Sequence, residues 1–349
     1  MSVNEDIADA FTSHRGWLLR YELSTVRDLQ REYDTHVGPL WDRIEELRKA
    51  AVKATLTDAE RAELGELGLA LDDAIQAFRQ TAAPFLDEAV RAAADVSRVA
   101  SAEDVAKNLP PELSAGFRKV AQVDQIIAAL GDVGGPRWST VLESSLFEHR
   151  NRVQAVLLQA ASTGASMPKI ARSLKQLTKI KETYKGRFTN IARTEMQRVS
   201  NEAARQTFAA NQDVIKAIQY LATLDSRTCP ICGPTHNRVY TYDQQGVPRD
   251  ADGNAAPDLP RHPRCRCFYS PVTRSWEELG LGRSPGLTGK PAPETSYPQW
   301  FRRQSTATQE DILGPGRYNL WKSGAVALEE LSVGDRLLTL ADLRARIAA

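Results

Sequence analysis

Scarcity narrows this sequence before any motif does. Only four of its 349 residues are cysteine, five are histidine and three methionine, too few for the disulfide framework of a small secreted protein. No apolar run approaches the roughly 20 residues of a membrane-spanning helix. The first turns carry acidic residues and no apolar core segment, so a secretory leader is not expected and the protein reads as made and kept in a cytoplasm. Net charge is only +1, which argues against a uniformly basic nucleic-acid binder. No glycine-rich phosphate loop and no paired nucleophile and histidine occur, so no enzymatic constellation is legible. What remains is 42% hydrophobic and 26% charged, ordinary for a globular chain long enough for two or three packed units.

The near-zero charge hides a segregation. Residues 1–100 carry 12 basic and 19 acidic side chains, whereas residues 169–205 carry 10 basic and 3 acidic. Such a basic middle suits either a solvated helical face or a contact with phosphate or an acidic partner.

Helical periodicity dominates the first two hundred residues. Trp17, Tyr21, Leu29, Tyr33, Val37, Trp41, Ile44 and Leu47 recur mostly at threes and fours, with a break expected at Gly38-Pro39. Thr57 to Glu60 spells a capping box. Leu64, Leu67, Leu71, Ile75 and Phe78 follow as a buried stripe that Pro84 ends or kinks, and a separate helix is expected over 85–99. Long amphipathic helices without catalytic clusters pack as bundles, so residues 1–110 read as a helical assembly region. A short helix is expected around 120–130 and a long one from Trp138 to Ala160, with His149 on its apolar face as a core histidine. Pro168 opens a further helix.

The helix after that contains Arg193, Glu195 and Glu202. Phe188, Ala192, Val199 and Ala203 form its buried stripe, and Glu195 and Glu202 fall on the same stripe. Buried carboxylates need partners. The favoured reading is an ion-paired lock onto the cysteine module, with Arg198 partnering Glu195. The alternative is an acid/base and phosphate-binding group built from Arg193, Glu195 and Glu202.

All four cysteines fall between 229 and 267. Cys229 and Cys232 form a C-x-x-C turn, followed by Gly233, free to take positive φ. His262, Cys265 and Cys267 offer two ways to complete a tetrahedral set, and spacing does not choose between them. Thiolate with imidazole suits zinc, and four protein donors leave no open position, so the site reads as structural. Strands are expected through Ile218, Tyr220 and Ala222, over 238–242 and over 267–272, with a polar loop at 243–260. Zinc would pin this small antiparallel sheet, which is too small to be stable alone.

From Gly164 to Cys267 the sequence resembles the phage head morphogenesis family, the Mu F-like minor head proteins. The resemblance rests on Gly-Ala-Ser-Met-Pro-Lys-Ile-Ala, the Ile191–Glu195 block, Asn201 seven residues after Thr194, Asp225-x-Arg227-Thr228-Cys229-x-x-Cys232 and His262-Pro263-x-Cys265-Arg266-Cys267. It covers about a third of the chain and implies a low-copy structural protein of a phage head. Such a protein would lie in the virion head, and in host cytoplasm during assembly, with portal, capsid or scaffold proteins and packaged DNA as partners. Asp225, Arg227 and Arg266 would stabilise the module, or the two arginines would touch phosphate.

The fold class read from all this is α+β: helical N-terminal and middle regions, a zinc-pinned β module at 215–275 closing a head morphogenesis module at 111–275, and a 276–349 linker and docking tail. In that tail a capping box at Ser275–Glu278 is expected to open a helix, residues 283–298 form a Pro/Gly/Ser linker, and a final helix starts at Thr339.

Overall fold

A computed structural model describes residues 3–118, 122–132, 138–162, 165–225, 227–280, 296–333 and 336–348. The fold is α+β, mostly helical, with a small antiparallel four-stranded sheet. Helix α1 spans Val3–Val52, α2 Asp58–Ala106, α3 Pro111–Ser114, α4 Val123–Asp132, α5 Trp138–Ala161 and α6 Met167–Ala210. By internal contacts the chain forms two units: residues 18–93 with 127–196, and residues 1–17 with 94–126 and 197–349.

The first unit is helical. Its core joins Leu29, Tyr33 and Leu47 of α1, Leu71 and Phe78 of α2, Leu146 and Val153 of α5, and Leu174 and Phe188 of α6. The expected stripes are buried from Leu29 to Leu47 and from Leu64 to Phe78, while Trp17 and Tyr21 are half-buried. His149 is fully buried and bonded through Nε2 to the Tyr33 hydroxyl at 2.9 Å, and Trp41 Nε1 donates to that same hydroxyl at 3.0 Å. The expected histidine is thus a core group bonded through one ring nitrogen, while its buried Nδ1 makes no hydrogen bond among the described residues.

Three expected breaks do not occur. Pro39 lies inside α1 and Pro84 inside α2, so there is no interruption at Gly38-Pro39 and no separate helix over 85–99. The two helices expected after Pro168 are one, α6, which passes through Gly186. Proline removes one ladder bond, but the residues flanking each proline are core: Val37 and Trp41, Ala82 and Leu86. Burial on both sides outweighs one lost bond. The capping box before α2 is made, with Thr57 N donating to Glu60 at 2.8 Å and Glu60 N to Thr57 Oγ1 at 3.2 Å.

The second unit carries the sheet. Strands β1 (Ile215–Leu221), β2 (Val239–Tyr242), β3 (Pro248–Arg249) and β4 (Phe268–Thr273) lie in the order β3-β2-β1-β4, each pair antiparallel. The three expected strands are present, and β3 is an extra one inside the expected polar loop. Phe208 of α6, Ile7 and Phe11 of α1 and Val105 of α2 share a core with Ile215, Ile218 and Tyr220. Asn4 Oδ1 accepts from Thr273 N and Oγ1 at 3.2 and 3.1 Å, tying the start of α1 to β4.

Beyond the sheet, the Ser275–Glu278 box forms its reciprocal bonds, yet only a turn follows, not the expected helix. The expected linker falls largely on 281–295, outside the described residues, and its last residues start a helix. Helices α7 (Tyr297–Arg302), α8 (Thr306–Leu313) and α9 (Pro315–Lys322), a two-stranded ribbon β5 (Ser332–Val333) with β6 (Arg336–Leu337), and α10 (Leu340–Ala348) gather around Phe301, Leu313, Tyr318, Leu331 and Leu343. The expected cap of the last helix is made, with Thr339 N donating to Asp342 at 2.9 Å.

Candidate metal centre

Sheet topology explains why cysteines 33 residues apart meet. Strand β1 ends at Leu221, which pairs with Phe268, the first residue of β4. The chain leaving β1 and the chain entering β4 therefore run side by side at one end of the sheet. The first arm, 222–238, turns through Cys229 and Cys232 and returns as β2; the second, 262–267, brings His262, Cys265 and Cys267 in beside it.

Side-chain bonds fix both arms. Thr228 Oγ1 donates to Thr223 O at 2.5 Å, Asp225 N donates to Thr228 Oγ1 at 2.8 Å, and Thr223 Oγ1 donates to Arg266 O at 3.2 Å. Ala222 N donates to His236 Nδ1 at 3.0 Å, which closes the end of β1. Across the arms, Arg266 Nη1 and Nη2 each donate to an Asp225 carboxylate oxygen at 2.6 Å, the bidentate fork that makes arginine–carboxylate pairs strong. Burial raises the Asp225 pKa, but the Arg266 and Arg227 bonds outweigh it and leave the carboxyl below its ordinary range. Arg227 is exposed, with its Nη2 3.6 Å from Asp225.

The five donors form two groups that share Cys232: Cys229, Cys232 and His262, then Cys232, Cys265 and Cys267, with the ligand atoms of each group within 4.8 Å of one another. His262 Nε2 lies 3.1 Å from Cys229 Sγ and 3.2 Å from Cys232 Sγ, and Cys232 Sγ lies 3.9 Å from Cys265 Sγ. His262 Nδ1 is 2.9 Å from the Pro263 carbonyl, which presents Nε2 to the sulfurs. No cysteine is in a disulfide.

The electrostatics are those of a cation site. Bonds from Cys232 and then His262 pull Cys229 down to about 4, while Cys229 and Cys265 push His262 up to about 11. Cys265 is held far below its ordinary value by Cys232, Cys267 and His262. Cys232 is pushed up by the sulfurs around it, and Cys267 by burial. Cys229 and Cys265 thus favour the thiolate with His262 facing them, and the cluster of four sulfurs and one imidazole can hold a metal ion.

Two side chains of α6 support the second cysteine arm, Gln197, which the motif does not include, and Asn201, which it does. Gln197 Nε2 donates to the Cys267 carbonyl at 2.7 Å and Asn201 Nδ2 to the same oxygen at 3.4 Å. They stand one turn apart on α6, so neutral amides join this helix to the cysteine module. Glu202 instead binds within its own helix, accepting from Arg205 Nε and Nη2 at 2.7 and 2.6 Å and from Gln206 at 2.7 Å. The signal in the sequence was a pair of amides at i and i+4 on a stripe otherwise apolar or acidic.

Arg193, Glu195 and Glu202 do not converge. On one continuous α6, Arg193 sits about 180–200° around the helix from both carboxylates, and Glu195 and Glu202 are about 10 Å apart along its axis. Gly233 also differs from expectation: its φ is not positive. An added Cβ there would stand 2.3 Å from the Tyr297 ring, so the position demands room, not left-handed backbone.

Residues 151–270 match the family model described as Phage Mu protein F like protein. The matched third of the chain begins inside α5 and ends in β4, enclosing α6, the sheet and all five donors, and bears out the phage head morphogenesis resemblance. Comparison with curated proteins and with solved structures finds no match.

Proposed function

We propose, from the match of residues 151–270 to the Mu protein F family, that the chain is a minor head protein of a tailed phage or prophage, acting in head morphogenesis near the portal during DNA packaging. The observation that supports this reading is that the matched segment holds all five donors together with the helix and strands that carry them. Within it Asp225 and Arg266 pair across the two arms, and the five donors gather into two groups that share Cys232. Within this reading the module holds one zinc ion as a structural clamp. Tetrahedral zinc, with Zn–S of about 2.3 Å and Zn–N of about 2.1 Å, sets S···S near about 3.8 Å and S···N near about 3.6 Å. The distances of 3.9, 3.1 and 3.2 Å among these donors lie within a modest adjustment of those values. A structural role also suits Glu202, whose carboxylate is already committed to Arg205 and Gln206. The test is a phage or prophage deleted for this chain: heads should form with reduced DNA content and infectivity, and the chain should be found in purified wild-type heads. Normal infectious yield without it would overturn the proposal.

A second reading adds DNA as a partner, and one observation favours it. Lys169, Arg172, Lys175 and Lys179 are exposed on α6 within an arc of about 120° and a length of about 15 Å. None of the four makes an ion pair among the described residues, whereas in the same unit Arg43, Arg48, Arg79, Arg150, Lys185 and Arg187 all do. A row of unpaired cations matches the regular charge of a nucleic-acid backbone. Binding to a duplex should weaken steeply with salt, and Lys175→Glu with Lys179→Glu should flatten that slope by about 2 units of log K per log salt. Salt-independent or absent binding would remove DNA from the reading.

A further inference from the structure

Gly233, the residue after the second cysteine of the turn, seats an aromatic ring from the C-terminal segment. A Cβ placed there would lie 2.3 Å from both Cε2 and Cζ of Tyr297 and 2.7 Å from its Cδ2. That ring cannot step aside as a surface side chain would, because Tyr297 is 1% exposed and packs against Trp300 and Phe301 at centroid distances of 5.7 Å. The seat is also tied to the metal centre. Gly233 N donates to the Cys229 carbonyl at 3.0 Å, and Cys232 N to Cys229 Sγ at 3.3 Å, so the main chain under the ring follows the path that aims the two sulfurs. Leu224, on the approach to the turn, packs with the sheet core and with the C-terminal core alike, so the contact continues beyond a single ring.

We propose that the C-terminal segment from Tyr297 onward is a latch on the metal centre: the ring of Tyr297 docks on Gly233 only while the Cys229–Cys232 turn is held by a metal ion, so that metal loss and undocking are linked. This rests on the metal reading above. The physical reason is reciprocity. If the ion fixes the turn that seats the ring, the seated ring must stabilise the bound ion by the same factor. Without the ion no metal ligation joins the Cys229–Cys232 turn to the arm that carries His262 and Cys265, the turn relaxes, and the ring loses the flat main-chain surface that glycine provides. Undocking would then expose the apolar face of Tyr297, Trp300 and Phe301, which is buried or half-buried when the segment is docked.

The experiment uses the purified full chain. Elemental analysis first gives zinc per chain; competition with a chromogenic chelator then gives zinc affinity for wild type, Tyr297→Ala, Tyr297→Phe and Gly233→Val. The latch predicts affinity at least about fivefold weaker in the Ala and Val variants and within twofold of wild type in Tyr297→Phe, which keeps the ring. In wild type, stripping the zinc should open tryptic cleavage after Arg302 and Arg303. Should Gly233→Val fail to fold, Tyr297→Ala and the wild-type cleavage decide. Folded Tyr297→Ala that binds one zinc with wild-type affinity, or stripped wild type that stays uncut at those arginines, overturns the latch while leaving the metal centre standing. A chain that purifies folded and without metal overturns both, and does so at the first step, before any variant is read.

Discussion

Gln197 reaches from α6 to the main chain of the cysteine module: its Nε2 donates to Cys267 O at 2.7 Å, with the side chain only 1% exposed. Its Oε1 is buried and makes no hydrogen bond among the described residues. The helix and the second cysteine arm are therefore registered by one neutral donor, assisted by Asn201.

Gln197→Met keeps the volume and removes the donor, leaving the Cys267 carbonyl with only the 3.4 Å contact from Asn201. The expected cost is about 1–3 kcal/mol, the penalty of an under-satisfied buried acceptor. Metal affinity should fall by about 10-fold or more, as when an outer support of a ligand arm is lost. Gln197→Glu should cost more, since it sets a buried carboxylate against a carbonyl oxygen. Chemical denaturation and chelator competition measure both.

Asp225→Asn removes one half of the fork to Arg266. Asp225 is 35% exposed and Arg266 14%, so solvent screening limits the expected loss to about 1 kcal/mol. The Asp225 pKa is lowered on folding. Its contribution is therefore full above the ordinary carboxylate pKa and is lost as pH falls through the lower folded value. Asp225→Asn lacks that acid-side loss, so the stability difference between wild type and variant should shrink as pH falls through this range.

The helical unit should weaken in acid through His149. Burial, then the charge of Arg187, pushes its pKa down to about 4. The unfolded chain takes up the proton near 6.5, so stability falls as pH drops from about 6.5 toward 4 and levels below that, by about 3 kcal/mol at most. The same Arg187 pairs with Glu148 beside it, and the Tyr184 ring lies 4.2 Å from the His149 ring between centroids. Carboxylates titrate below this window's upper half, so the fall between pH 6.5 and 5 is the part to read. In His149→Gln it should disappear, as followed by thermal melts across pH.

Metal uptake should release protons. His262 is pushed up to about 11 and the Cys232 thiol is pushed up by its neighbouring sulfurs, and both must lose protons to become ligands. Zinc affinity should therefore fall with falling pH, and calorimetry in buffers of different ionisation heat should show release of at least one proton per ion. Proton-independent binding would exclude His262 from the ligand set.

The core was legible wherever one face of a helix was apolar: Leu64 to Phe78 and Phe188 to Ala203 are buried as their spacing implies. Proline misled, because Pro39 and Pro84 carry local breaking tendencies that flanking core residues override. At the site, clustering and spacing were enough to bring out the five donors. The supports were not legible, because Gln197 and Tyr297 act on main-chain atoms of Cys267 and Gly233, and a contact to main chain leaves no complementary side chain to read. Strand β3 escaped for a related reason: two residues in a loop rich in glycine and proline pair with β2 through backbone alone.

The measurement that bears most directly on the central claim is zinc content of the purified full chain, taken with its melting curve before and after chelation. One zinc per chain, with the sheet module unfolding when the ion is removed while the helical unit keeps its helicity, is the result this account predicts. A folded chain without metal, whose melting does not respond to chelator or to added zinc, would contradict it.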